Sequence, residues 1–160
     1  MVGLPGSGKT TTAKKISTAY QALRLTPDEW HFHLFGNDFY NETNKDKEHD
    51  IRHTKIEELM WVTAKELLLL GVDVILDFGF WTKAERDDFR TRAHTLGANF
   101  KLHYTPCSIE NIWERLKQRN KDPKKEATFS ISKETLDEWN TLFEPPTKEE
   151  LLLSEKAFEL

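Results

Sequence analysis

The chain has 160 residues, 38% hydrophobic and 31% charged, with a mean hydropathy of -0.66 and a net charge of -4. That length suits one domain with a real core, here taken as residues 1–160; the composition excludes disorder, and the mild negative charge argues against duplex nucleic acid as the main partner. One cysteine, Cys107, rules out an internal disulfide and fits a reducing, cytoplasmic setting, while the most apolar run, "LLLLGVDVILDFGFW", is broken by Asp73 and Asp77, so no membrane span is expected.

The amino terminus reads "MVGLPGSGKTTT". Gly3, Gly8, Lys9 and Thr10 satisfy G-x-x-x-x-G-K-[ST], the loop whose backbone N–H groups cradle a polyphosphate. The cradle is expected to comprise Gly3, Pro5, Gly6, Ser7, Gly8, Lys9, Thr10 and Thr11. Lys9 would reach the β and γ phosphates of a nucleotide, Thr10 would offer an oxygen to Mg²⁺, and a helix over 9–21 would aim its positive end at the anion. Only Met1 and Val2 precede the cradle where a central strand is expected, so the first strand reads as truncated, with its start expected upstream of Met1.

"ALRL" (22–25) reads as a short strand ended by Pro27, and Asp28 in "TPDEW" follows it. Two roles suit Asp28: a helix cap, or the base that accepts a proton from an attacking hydroxyl. Residues 36–50 read as a polar loop. Ile56, Met60, Thr63, Leu67 and Leu70 recur at steps of three and four, which predicts a helix over 51–70 with that face buried.

"VDVILDFGF" then predicts a strand with Asp77 at its end, placed either to hold the Mg²⁺ shell or to cap the turn. A helix over 82–96, the strand "FKLHYT" and a helix from about Ser108 follow. In that last helix Arg115 and Arg119 share a face. Over residues 113–125 six basic residues stand against two acidic ones, so the region 113–130 reads as a cationic lid or as a solvated charged face. Trp30 and Trp81 lie near the acids and suit either an acceptor pocket or the core. His31 and His33 alternate, but the sequence places no third ligand beside them, which argues against zinc.

The alternation of strands and helices predicts an α/β fold: a doubly wound parallel sheet with helices on both faces and the site at the carboxyl ends of its strands. With the cradle, "TPDEW", "VILDFGFW", "ERDDFR" and "ERLKQRN", the chain resembles the P-loop kinases. The likeness is to AAA-type ATP-binding proteins grouped with zeta toxins, chloramphenicol phosphotransferase and polynucleotide kinase. The resemblance implies that Lys9 and Thr10 bind ATP and Mg²⁺, that Asp28 is the acceptor-side base, that Arg115 and Arg119 belong to the lid, and that Arg86 meets acceptor or phosphate. The expected activity is transfer of the ATP γ-phosphoryl group to a hydroxyl of a small molecule. The alternatives are a polynucleotide 5′-hydroxyl kinase, against which the acidic tail speaks (eight acids, two lysines over 134–160), and a nucleotide-binding module without transfer.

Overall fold

A computed structural model describes residues 1–42, 46–121 and 129–156. Helix α1 (Lys9–Tyr20) leaves the glycine loop directly, with Gly8 at its N-cap. Strand β1 (Leu23–Leu25) leads into α2 (Pro27–Phe35), where Pro27 sits at the first turn, a position that needs no amide donor, and Asp28 and Glu29 face the helix's positive end. The segment after Pro27 is thus a helix of nine residues. Helix α3 (Lys47–Leu69) starts inside the stretch expected to be loop, and its buried face is Ile56, Met60 and Ala64. Leu70, assigned to that face by periodicity, is 78% exposed because the helix has already ended.

Strand β2 (Val74–Leu76) lies parallel to β1, with Leu23 opposite Val74 and Leu25 opposite Leu76. Helix α4 (Lys83–Thr95) opens on a capping box in which the Thr82 hydroxyl accepts from the Glu85 amide and the Glu85 carboxylate accepts from the Thr82 amide. Serine caps start α5 (Ile109–Arg119) and α6 (Lys133–Leu142), and α7 (Lys148–Lys156) follows. The sequence reading contained neither α6 nor α7.

Val2 forms parallel bridges to Gly79 on one side and Tyr104 on the other. Its amide donates to the His103 carbonyl (2.9 Å), the Thr105 amide donates to the Val2 carbonyl (3.1 Å), and the Gly3 amide donates to the Gly79 carbonyl (3.1 Å). Residues 1–3 thus lie between the β2 segment and residues 102–105, the central place expected of the first strand. Among the described residues, however, the regular sheet has two strands rather than four. Bridges replace ladders at 1–3 and 102–105, and Gly79, at φ 102°, turns the chain away from strand geometry just where it would pair further.

Three apolar clusters hold the frame. Leu25 packs with Ile56, Met60 and Ala64 of α3; Val2 packs with Phe80 and Leu102. The third binds the loop itself: Leu4 is buried with Ile112 and Leu116 of α5 and with Phe129, Ile131 and Leu136. Burial of each such side chain contributes on the order of 1.5–3 kcal/mol, so the cradle is anchored from beneath by α5 and α6.

Candidate active site

The loop opens into a cleft of about 1930 Å³ lined by residues 5–12, by Asp28 and His53, by Asp77, and by Arg115 and Arg119. Close packing shapes the loop. A Cβ on Gly6 would sit 3.1 Å from Leu116 and 3.3 Å from Ile112, and Gly6 holds φ 83°, so only glycine lets the backbone lie this near α5. The Ser7 amide closes a turn on the Leu4 carbonyl (3.1 Å), and the Ser7 and Thr105 hydroxyls meet at 2.8 Å. Gly8 has no side chain to cap α1, so the first amides of that helix turn toward the cleft without a side-chain acceptor. That is the construction an anion needs.

The Lys9 ammonium donates to the Leu4 carbonyl at 3.0 Å, bent across the loop. Burial lowers its pKa, opposed by the negative charges of Asp77 and Asp28. Asp77 is buried at the end of the β2 segment, and neither carboxylate oxygen has a hydrogen-bond partner among the described residues. Burial raises its pKa; the adjacent Thr10 hydroxyl and the positive Lys9 act the other way, although Thr10 completes no hydrogen bond of normal geometry. Two orphaned oxygens beside a threonine at the mouth of an anion cradle fit a hydrated divalent cation, which would supply the missing partners.

Asp28, in the first turn of α2, is 53% exposed to the cleft. Its side chain caps nothing, since the N-cap of α2 is Thr26. His53 Nε2 lies 3.2 Å from Asp28 Oδ1. The surrounding walls work against the Asp28 charge, but the His53 hydrogen bond and the positive Lys9 and Arg119 outweigh them and hold its carboxyl below the ordinary range. The carboxylate is thus ionised and oriented in the same cleft as the cradle.

A family model for the AAA domain (AAA_33) matches residues 1–146. The chain belongs to that family. It is a P-loop NTPase-like family that includes kinases, and membership joins the glycine loop to nucleotide binding. No curated protein sequence matches the chain. Among the described residues no helix of this AAA domain is long and apolar enough to cross a membrane.

The remaining residues singled out in the sequence of the AAA domain fall in different places. Arg115 donates to the carbonyls of Gly6 (3.3 Å) and Ser7 (3.4 Å), gripping the loop's outer rim, and Arg119 donates to the Phe129 carbonyl (3.2 Å). Both line the cleft. Of the expected lid over 113–130, residues 122–128, with Lys124 and Lys125, lie outside the described residues. Trp81 lines the cleft beside Trp139, but Trp30 packs against the Leu25, Ile56 and Met60 cluster and does not.

Arg86 is far from the acceptor role that resemblance implied for it. It is 1% exposed, its Nε donates to Glu150 at 2.8 Å, and its Nη1 donates to the carbonyls of Phe80, Trp81 and Glu144. It ties α4 to α7 and holds the chain that carries Trp81 into the cleft.

The fold also gathers residues that the sequence left apart. His31, Asp38 and His49 converge: both imidazoles contact Asp38 Oδ1 (2.8 and 2.7 Å) and Arg52 donates to Oδ2 (2.8 Å). The third group missing beside His31 is thus supplied by tertiary structure, although His33 plays no part. Both carboxylate oxygens are spent on hydrogen bonds, which makes the cluster a brace between α2 and α3. Desolvation opposes the Asp38 charge, but these bonds overcome it and bring its pKa down to about 2. His53 and Glu57, one helical turn apart on α3, were likewise missed; no local motif marks either, and only packing of α3 against α2 sets them beside Asp28.

Proposed function

We propose that this AAA domain is an ATP- and Mg²⁺-dependent phosphotransferase acting on a hydroxyl of a small molecule. The observation that carries this reading is the sharing of one cleft by the open cradle with Lys9 and by the ionised Asp28, close enough that their charges act on each other. The loop amides and Lys9 would bind the β and γ phosphates. Thr10 and Asp77 would hold Mg²⁺, which when bound offsets the charge on the phosphates.

Arg115 and Arg119 would stabilise charge on the moving phosphoryl group. The acceptor oxygen forms its bond to the γ phosphorus as the bond to the bridging oxygen breaks; ADP leaves with that electron pair, and the hydroxyl proton goes to Asp28. Most of the acceleration then comes from placement and charge stabilisation.

Phe39, Phe129, Trp81 and Trp139 present aromatic faces in the same cleft, and Glu29, Asp50, Glu85 and Glu114 line it too. Aromatic walls suit a small organic acceptor, and the acids disfavour a polyanion. The test is ADP formation with pooled aminoglycosides, phenicols, nucleosides, amino sugars and 5′-hydroxyl oligonucleotides. Acceptor-dependent ADP release with a small-molecule pool is expected. Stimulation by oligonucleotides alone would replace it with the polynucleotide reading, and tight ATP binding without ADP from any pool would leave a binding module.

A further inference from the structure

His53 stands between two carboxylates. Its Nε2 lies 3.2 Å from Asp28 Oδ1 and its Nδ1 lies 3.7 Å from Glu57 Oε1. A neutral imidazole that keeps its one N–H on Asp28 turns its lone pair toward the Glu57 carboxylate; the imidazolium donates to Asp28 and still faces Glu57 with positive charge, as an ion pair at 3.7 Å rather than a hydrogen bond. We infer that protonated His53 is a positioning residue for Asp28, steered by Glu57 behind it, so that the phosphotransfer site is ordered only while the His53 ring is charged. The inference rests on the phosphotransferase reading of the cleft.

The surroundings agree with a charged ring. Burial works against it, but the Asp28 contact and the negative charges of Glu57 and Asp50 prevail and raise its pKa above the ordinary histidine value. Burial pushes Glu57 up to about 7, against the pull of His53 and with help from Glu85 and Asp28. The other groups facing this ring are His31 of α2, at 5.9 Å between ring centroids, and His49 of α3, also at 5.9 Å. Lys9 and Arg119 act on Asp28 from the phosphate side.

A raised pKa means the interaction is complete at lower pH and is lost as pH rises through the folded value. Asp28, held low, stays ionised throughout that range. A base held by an imidazolium is weaker in proton affinity but fixed in direction, which matters more where the transition state is loose and catalysis is mainly placement.

The experiment follows kcat for ADP release, with water or the best acceptor, across pH in the full chain, His53→Gln and Glu57→Gln, alongside NMR titration of the His53 ring. In the unsubstituted chain kcat should fall on the alkaline side, with a midpoint matching the ring titration. Glutamine keeps an amide N–H to donate but does not titrate. His53→Gln should therefore lower kcat roughly 10- to 100-fold, leave the KM for ATP unchanged and flatten the alkaline limb. Glu57→Gln should move both the ring titration and the alkaline limb to lower pH.

An alkaline limb that survives in His53→Gln would overturn the inference, as would a ring titration indifferent to Glu57→Gln. Either result leaves the phosphotransferase reading standing. That reading falls instead if the unsubstituted chain binds ATP and releases no ADP with any acceptor.

Discussion

The two ends of the cleft are built by different means. At the end proposed to take phosphate, a single run, residues 3–12, builds the cradle from its backbone: amides at the start of α1, a glycine pressed against α5, and Leu4 buried below as an anchor. At the end proposed to take the acceptor, side chains from separate segments converge, with Asp28 from α2, His53 from α3 with Glu57 behind it, and Trp81 from the turn before α4. The cradle's binding groups are backbone amides, which stay in place under side-chain changes elsewhere as long as α5 packs beneath Leu4 and Gly6, whereas a side-chain constellation is lost when any one of its members is replaced. The phosphate end should therefore survive substitutions that silence the acceptor end.

Asp28→Asn separates the two ends most sharply. It should lower phosphoryl transfer by about 10²- to 10⁴-fold, the usual contribution of a positioned acid–base group, while ATP affinity by calorimetry stays within a few-fold. Unchanged turnover would remove Asp28 from the mechanism and leave the acceptor end without its base.

Next in size is Arg86→Met. It leaves Glu150 buried at 4% exposure without its main partner, which should cost about 3–5 kcal/mol in urea unfolding. Adding Glu150→Leu should recover much of that loss, because a matched apolar pair leaves no orphaned charge. If Arg86→Met instead melts like the unsubstituted chain but loses acceptor-dependent turnover, the role implied by family resemblance returns.

Asp38, which braces the two helices that carry Asp28 and His53, makes the chain sensitive to acid. With its carboxyl at about 2 in the folded chain and near 3.8 unfolded, the unfolded state binds the proton more readily, so stability is present above the unfolded value and is lost as pH falls through it toward about 2. The loss should be about 2 kcal/mol, measured by denaturant melts between neutral and strongly acidic pH, and Asp38→Asn should flatten that dependence. The smallest effect belongs to the phosphate end: Ser7→Ala removes the 2.8 Å contact with Thr105 and should cost about 1 kcal/mol, with little change in ATP affinity because the loop amides remain.

Legibility in the sequence follows the same division. The loop was readable because its chemistry is contiguous: glycine spacing, Lys9 and Thr10 name the structure and its ligand class within eight residues. Asp77 was readable as a strand end, and α3 as a periodic face. Periodicity overran at Leu70, since a pattern does not say where the hydrogen-bonded turns stop, and it fell short at α6 and α7, whose polar composition hid two helices behind serine and acidic starts. Arg86 misled for a physical reason: an arginine near an acidic motif looks the same in sequence whether it faces a phosphate or a buried glutamate 64 residues away.

By itself the sequence determined an anion cradle at the head of a helix, an acid after each of two strands, and an alternation of strand and helix that specifies an α/β chain. Only tertiary structure decided which charges meet. Local conformation depends on neighbours along the chain and can be read from them, whereas the pairing of His53 with Asp28, or of Arg86 with Glu150, depends on which apolar faces bury against each other. Those contacts bring together residues that the linear order keeps apart.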